Sequence, residues 1–279
     1  MRSITKERVI SAICNSVIAL SIVFILYILL RTYCVLSFSL STESMSPTLK
    51  SGDYVIASQL DLDKIDRGDR LLFSFPFPHR WDSIADPGEG RFYVKRCIAL
   101  PGDVFEIRNG RYYINGQYYD LGNMESQKNL CHRLAGITSD SIARSKGICL
   151  DAWPGHEKNP GWTILEFGPL QIPSLGQTLD INAQSIRLYR TVIEWETGHN
   201  IEIKDDGRIL LEGEELITYT FNKNYYFVIG DNVEDSQDSR YWGFLPQDHI
   251  KARGLFIWFS RKSETQKIRW ERIGKQIYK

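Results

Sequence analysis

The sequence predicts a mainly β protein, in which a single N-terminal transmembrane helix is followed by an antiparallel β-sheet domain with a large β-rich insert and one or two helices. Three observations support the fold class. Positions 9–30 carry no formal charge, short runs of alternating apolar and polar residues fill much of the remaining chain, and Asn-Gly or Asp-Gly turns recur between them. Aromatic residues are plentiful, which favours a packed β-rich body over disorder.

The first predicted element is a membrane helix over Val9–Leu30. At about 1.5 Å per residue it spans about 33 Å, enough for the hydrocarbon core of a bilayer. Basic residues are concentrated in 1–8 and Arg31 alone follows closely, so the positive-inside rule places the N-terminus in the cytoplasm and the rest across the membrane. The alternative is a cleaved secretory signal ending near Ser37-Phe38-Ser39, but the apolar run exceeds the ~7–15 residues usual for such a signal.

A strand is predicted from Phe92 to Leu100, closed by a Pro-Gly turn. Alternation places Lys95 on an apolar face of this strand, next in sequence to Arg96. Burial and repulsion by a neighbouring cation both lower an amine's pKa, and a drop of roughly 2 units makes a lysine usable as a general base. The alternative is a strand lysine whose ammonium reaches solvent.

The region 104–220 is predicted to form an inserted β-rich subdomain. Two similar hairpins, 104–116 and 201–213, alternate apolar and polar residues around Asn-Gly or Asp-Gly. One helix is predicted within 182–197, and 122–160, which has no clear period, is predicted to be rich in loops.

The catalytic core is predicted from the two flanking parts, 31–103 and 221–279. Leu255–Phe259 is expected to be a core strand that closes the sheet with the strand Tyr225–Ile229. The Lys- and Arg-rich tail after these strands is expected to be an exposed end.

The composition argues against several classes of function. Lys plus Arg and Asp plus Glu each number 34, so no global field favours nucleic acid. No phosphate-binding loop or dinucleotide motif occurs. The five cysteines lack paired short spacing, and Cys131-His132 has no second ligand pair for zinc, so no metal or cofactor is predicted. Cys131 and Cys149 can form one disulfide if this part of the chain is exported.

Three polar motifs follow the apolar segment in a fixed order. They are Ser44-Met45-x-Pro47-Thr48-Leu49 with Gly52-Asp53, then Tyr93-Val94-Lys95-Arg96 with Leu100-Pro101-Gly102-Asp103, then Gly230-Asp231-Asn232 running through Ser236, Asp238 and Arg240 to Gly243-Phe244. In order and spacing they resemble the bacterial type I signal peptidases, or leader peptidases. The similarity runs from the apolar segment to near the C-terminus.

The resemblance implies a serine–lysine peptidase. Ser44 is then the nucleophile, and Lys95 is the general base that takes its proton and later returns it to the leaving amine. An acyl-enzyme on Ser44 follows and is hydrolysed by water. The Ser44 N–H and the Thr42 hydroxyl are the implied donors of the oxyanion hole.

Further roles come from the same resemblance. Ser236 is implied to bond the lysine amine, and Asp238 and Arg240 to form an ion pair that holds the loop. The implied substrate pocket is lined by Leu40, Met45, Leu49 and Val94. Glu43 departs from the family pattern, in which small residues are common at this position.

The predicted function is therefore that of a membrane-bound serine endopeptidase that cleaves signal peptides on the outer side of the cytoplasmic membrane. Exported preproteins and the lipid bilayer are its predicted partners, and it is expected to be monomeric and not to bind nucleic acid. Alternatives are a processing peptidase dedicated to one exported substrate such as a pilin, a repressor-type autoprotease, a Ser-His-Asp enzyme using His249, and an inactive membrane-tethered β-domain that binds export partners. The autoproteases carry a DNA-binding module and no anchor.

Overall fold

The computed structural model describes residues 2–75, 92–137, 139–145, 147–154 and 161–277. The mainly β architecture is confirmed. The helices are α1 (Arg2–Tyr33), α2 (Met124–Leu134), α3 (Asp140–Ser145), α4 (Ser185–Thr197) and α5 (Ser239–Trp242), with 3-10 turns at Gln247–His249 and Trp270–Arg272. The strands are β1 (Val35–Ser39), β2 (Asp53–Ser58), β3 (Arg70–Ser74), β4 (Phe92–Ala99), β5 (Val104–Arg108), β6 (Arg111–Ile114), β7 (Gln117–Tyr119), β8 (Phe167–Gln171), β9 (Thr178–Asp180), β10 (Ile201–Ile203), β11 (Ile209–Leu211), β12 (Glu214–Glu215), β13 (Thr218–Thr220), β14 (Tyr225–Ile229), β15 (Leu245–Pro246) and β16 (Ile250–Ser260).

Helix α1 contains the predicted membrane segment. Its stretch Ser11–Leu29 is long and apolar enough to cross a bilayer, and none of it is buried against the rest of the protein. Strand β1 begins two residues after the helix ends, so the apolar segment leads directly into the main sheet.

The main sheet has seven antiparallel strands in the order β1-β2-β16-β3-β4-β14-β15. The strand predicted at Phe92–Leu100 is present as β4, between β3 and β14. Strand β16 contains the predicted Leu255–Phe259 segment, but it pairs with β2 and β3 and does not pair with β14. The prediction that these two strands close the sheet together is therefore wrong, because strand order depends on long-range pairing that short patterns do not encode.

The insert contains both predicted hairpins. Strands β5 and β6 turn at Asn109-Gly110, and β10 and β11 form the second hairpin. Helix α4 falls within the predicted 182–197 segment. The predicted boundaries between insert and core stay predictions.

The segment 122–160 contains more helix than the sequence prediction allowed. Helix α2 is capped by Asn123, whose side chain accepts hydrogen bonds from the N–H groups of Glu125 and Ser126. Its buried face includes Leu130 and Leu134. The Asn123 cap and the four-residue spacing of Leu130 and Leu134 are sequence signals that indicate a helix.

Most residues of the C-terminal tail are exposed, as predicted, but two of its side chains are buried against the rest of the protein. After β16 the chain folds back, Arg272 is buried, and Ile277 packs in a cluster with Met45, Leu49 and Val55. A basic side chain is buried only when it is paired, so the burial of Arg272 depends on a carboxylate that is distant in sequence and that the local pattern does not indicate.

Candidate active site

Ser44 lies at the start of a tight turn that joins the end of β1 to β2. The Ser46 N–H donates to the Glu43 carbonyl at 2.9 Å, and the Leu49 N–H donates to the Met45 carbonyl at 2.9 Å. Met45 and Leu49 are fully buried, so they anchor the turn in the core. Ser44 itself is half-buried, and its Oγ lies 3.4 Å from the Oγ1 of Thr42.

Lys95 comes from the middle of β4 and is only 3% exposed. Its Nζ donates a hydrogen bond of 2.9 Å to the Oγ of Ser236. Burial lowers the pKa of Lys95 from 10.5 to about 8; the negative charge of Asp238 opposes this shift and the positive charge of Arg240 adds to it. The sequence suggested that Arg96 would repel the amine, but the cation that contributes is Arg240.

A buried ion pair supports the segment that follows β14. The Nε of Arg240 donates to the Oδ1 of Asp238 at 2.8 Å, and its Nη2 donates to Oδ2 at 2.9 Å. Burial raises the pKa of Asp238, but the charge and hydrogen bonds of Arg240, together with the charge of Lys95 and the Gly230 N–H, leave the pKa below its ordinary value. The same carboxylate accepts from the Ser236 hydroxyl at 2.7 Å and from the Gly230 N–H at 3.0 Å.

A second buried ion pair joins β4 to the same segment. Arg96 donates through Nε and Nη2 to the two oxygens of Asp231, at 2.7 and 2.6 Å. Such a two-point contact between guanidinium and carboxylate fixes relative orientation as well as distance. It ties the residue next to Lys95 to the third motif.

The turn 40–52, which carries Ser44, and the third motif are in direct contact. The Asn232 N–H donates to the Ser44 carbonyl at 3.0 Å. Gly230 allows this approach, because a Cβ at this position would lie 2.1 Å from the Ser236 Oγ and 2.5 Å from the Ser44 carbonyl oxygen. Sequence reasoning gave Gly230 no role, although it begins the third motif.

Ser44 and Lys95 line the same open cleft, which has a volume of about 720 Å³. No hydrogen bond joins their side chains in the described part of the chain. Leu40 and Val94 line the cleft, as do residues that the sequence did not single out: Phe38, Ser39, Ser41, Phe92 and Tyr93. Met45 and Leu49 belong to the buried cluster against which Leu40 and Val94 pack, so they lie behind the cleft wall.

Glu43 turns its side chain toward the protein. Its Oε1 accepts a hydrogen bond of 3.0 Å from the Ser51 N–H, which links the two ends of the turn that carries Ser44. Its carbonyl also accepts from the Asn232 side chain at 3.3 Å. This gives a physical reason for an acidic residue at a position where small residues are common.

The residues of the alternative predictions, His249 and the two cysteines Cys131 and Cys149, do not line this cleft. His249 Nδ1 is hydrogen-bonded to the Ser74 Oγ at 3.2 Å and its ring packs on Trp195, so the arrangement contradicts a triad that joins His249 to Ser44. Cys131 and Cys149 are free thiols, and no disulfide joins them. Cys131 donates to the Asn109 carbonyl, whereas Cys149 accepts from Arg144.

By its similarity to known proteins, the molecule is a serine peptidase, and therefore a hydrolase. It has an apolar N-terminal helix. The family described as "Signal peptidase, peptidase S26" matches residues 13–259, and the chain belongs to this family. The resemblance drawn from the three motifs is confirmed.

The relatives match most of the chain at modest identity. Signal peptidase I of Aquifex aeolicus (strain VF5) is 24% identical over 252 residues, which covers 89% of this chain and 85% of the relative. Signal peptidase I of Buchnera aphidicola subsp. Baizongia pistaciae (strain Bp) is 26% identical over 271 residues, covering 90% and 80%. A solved signal peptidase I from Enterococcus faecalis V583 matches with a TM-score of 0.28 and 21% identity, over 68% of this chain and 96% of that chain.

Proposed function

We propose that this protein cleaves N-terminal signal peptides from exported preproteins by a serine–lysine mechanism. One observation carries the proposal: a fully buried lysine with a pKa of about 8 opens into the same cleft as a serine held on a rigid turn. A lysine with this pKa is neutral often enough near neutral pH to accept a proton, which an ordinary lysine is not.

The proton moves between Ser44 and Lys95. The neutral amine of Lys95 takes the Ser44 hydroxyl proton as the serine oxygen attacks the scissile carbonyl. The resulting ammonium gives the proton to the leaving amine, and an acyl-enzyme remains on Ser44. Water, deprotonated by the same amine, then hydrolyses the ester and releases the signal peptide.

The oxyanion that forms at each step needs fixed donors. The Ser44 N–H and the Thr42 hydroxyl are the proposed pair. Support comes from the 3.4 Å distance between the Thr42 and Ser44 side-chain oxygens, which puts both hydroxyls at one point of the cleft.

The substrate backbone is proposed to add to the free edge of β4. Strand β14 pairs with β4 only from Arg96 onward, so among the described residues Phe92–Lys95 has β3 on one side and no strand on the other. An extended peptide can hydrogen-bond to such an edge. Small side chains at the first and third positions before the cut would then face Leu40 and Val94, with Met45 and Leu49 closing the pockets from behind.

The lipid bilayer is proposed as the second partner. Helix α1 would span the cytoplasmic membrane with its N-terminus inside, and β1 would enter the sheet at the outer surface. Trp258 and Trp270 are exposed, and Trp258 donates to Ser37 on β1, close to the end of the helix. Exposed tryptophans favour the membrane–water interface. Every proposed catalytic group comes from one chain, so we propose that the protein acts as a monomer.

The test compares Ser44→Ala and Lys95→Ala with the wild type, as full-length protein in liposomes supplied with a preprotein. Both variants are expected to abolish cleavage while circular dichroism and melting temperature show a folded protein. Ser58→Ala and Lys251→Ala are matched controls outside the cleft and should cleave at the wild-type rate. Retained cleavage in either cleft variant, or a wild type that binds the preprotein and leaves it intact, contradicts the proposed function.

A further inference from the structure

The carboxylate of Asp53 is the centre of a buried ionic cluster next to the turn 40–52, which carries the proposed nucleophile Ser44 and which we call the nucleophile turn. Asp53 is 0% exposed, and it accepts hydrogen bonds from Arg272 (Nη2 to Oδ2, 2.5 Å), from Arg269 (3.2 Å) and from the Ser260 hydroxyl (2.6 Å). The Lys50 N–H also donates to it, at 2.8 Å. Both arginines belong to the segment after β16, more than 200 positions from Asp53 in the chain.

The same two arginines reach the backbone of the nucleophile turn. Arg272 Nη2 donates to the Thr48 carbonyl at 2.9 Å, and Nη1 lies 3.5 Å from the Pro47 carbonyl. Arg269 Nη2 donates to the Ser51 carbonyl at 2.6 Å. Backbone carbonyls of the turn thus accept hydrogen bonds from charged donors, which form stronger hydrogen bonds than neutral donors.

Apolar and backbone contacts reinforce this arrangement. Ile277 is buried with Met45 and Leu49, the two side chains that anchor the turn. Gly52 lies so close to the returning chain that a Cβ there would be 2.0 Å from the Arg261 carbonyl oxygen. The segment 261–277, which we call the C-terminal clasp, therefore contacts the turn at several points between Met45 and Gly52.

The clasp lies beyond residue 259, where the family match ends. We infer that the clasp positions the nucleophile: Arg272, held by Asp53, fixes the turn that follows Ser44 and so sets where the Ser44 hydroxyl stands relative to Lys95. This inference rests on the proposed function of Ser44 and Lys95.

Ser44 depends on such a constraint because, among the described residues, its own hydroxyl makes only a long contact of 3.4 Å with the Thr42 hydroxyl. Its carbonyl is held by the Asn232 N–H on one side, while the chain from Pro47 to Ser51 is held from the other side by Arg272 and Arg269. Misplacement of a reacting atom by about 1 Å can cost about 100-fold in rate. Arg272 forms its hydrogen bonds with Asp53, Thr48 and Pro47, none of which lines the cleft, so it is a positioning residue and not a catalytic one.

The experiment compares Arg272→Ala with Arg253→Ala in the full-length protein. Arg253, a residue of β16, also pairs with a buried carboxylate, that of Asp69 at 3.3 Å, and does not line the cleft. Arg272→Ala is expected to lower kcat for preprotein cleavage about 10–100-fold with KM within about twofold. Arg253→Ala should keep the wild-type kcat, although both variants lower the melting temperature. Free guanidinium, below the concentration that lowers the melting temperature, should restore part of kcat in Arg272→Ala alone.

A second measurement does not need activity. Hydrogen exchange of the amides of Ser46, Leu49 and Gly52, which are all hydrogen-bonded within or beside the turn, should become faster in Arg272→Ala and stay unchanged in Arg253→Ala. If Arg272→Ala does not fold, Arg272→Lys and Arg269→Ala are measured in the same way. Wild-type kcat together with wild-type exchange at the turn overturns the inference. An inactive wild type contradicts the proposed function instead, and the exchange data then decide the inference alone.

Discussion

Lys95 donates its hydrogen bond to Ser236, and Ser236 donates onward to Asp238, over 2.9 and 2.7 Å. The direction of these two hydrogen bonds determines how the Lys95 amine is oriented. Because the Ser236 hydrogen is used by Asp238, the Ser236 oxygen can only accept from Lys95, and it therefore orients an N–H of the amine. The lone pair of a neutral Lys95 is left free for another donor, and the hydroxyl of Ser44 opens into the same cleft.

The pH dependence of cleavage follows from the lowered pKa. With a pKa of about 8, the amine of Lys95 is neutral in about one molecule in ten at pH 7. We expect kcat/KM for preprotein cleavage to rise about tenfold per pH unit below pH 8 and to level off above it, because only the neutral form accepts the proton. Lys95→Arg should be inactive at every pH, since a guanidinium does not deprotonate. A rate that stays flat between pH 6 and 8 would exclude this amine as the base.

The same amine should make stability depend on pH. Between pH 8 and 10.5 the unfolded lysine holds a proton that the folded lysine has lost, so the free energy of unfolding rises with pH through this window. The total increase in the free energy of unfolding is roughly 3 kcal/mol. Below pH 8 the folded protein bears the full cost of burying the charged ammonium of Lys95. Lys95→Met should be more stable than the wild type at pH 7 and should lack this rise.

Urea unfolding of the isolated variants at several pH values measures the effect. Lys251→Met, which removes an exposed lysine of β16, is the matched control and should keep the wild-type slope. If the free energies of unfolding of the wild type and Lys95→Met change with pH in parallel, burial does not lower the pKa of the Lys95 amine.

Ser236→Ala separates orientation of the amine from support of the fold. It removes the only hydroxyl hydrogen-bonded to Lys95 Nζ among the described residues. We expect kcat to fall tenfold or more, because the Lys95 amine is then poorly positioned to act as a base. Ser239→Ala is the control, because Ser239 is equally buried three positions away and bonds the Val228 N–H instead. It should cost about 1–3 kcal/mol of stability by leaving that N–H unsatisfied, yet keep kcat. Equal losses of kcat in the two variants would assign Ser236 a structural role only.

The sequence predicted the elements of the site better than their arrangement. Strand β4 and both hairpins could be predicted because period-two alternation and Asn-Gly turns are local signals. The burial of Lys95 followed from its apolar neighbours along that strand. By contrast, the pairing of Asp53 with Arg272 joins two positions whose local surroundings are polar and resemble a surface. Nothing within either segment indicates that the other one covers it.

The role of Gly230 was missed for a similar reason. A glycine before a polar loop is ordinarily a turn residue, and its sequence context does not show that Ser236 and Ser44 approach it from two sides. Close approach of separate segments is a tertiary property.

Glu43 gives a prediction that separates support of the turn from substrate recognition. Its carboxylate accepts the Ser51 N–H at 3.0 Å, so removing the acceptor loosens the turn that carries Ser44. Glu43→Ala should lower kcat several-fold, whereas Glu43→Gln, whose amide oxygen can accept the same hydrogen bond, should keep kcat near the wild-type value. Neither change should alter the preference for residues at the first and third positions before the cut, since the carboxylate points to Ser51. Cleavage of a set of preproteins that vary at these two positions measures this preference. If Glu43→Gln shifts the preference toward other residues, then the negative charge of Glu43 acts on the substrate. Support of the turn by the hydrogen bond from Ser51 is then not the function of Glu43.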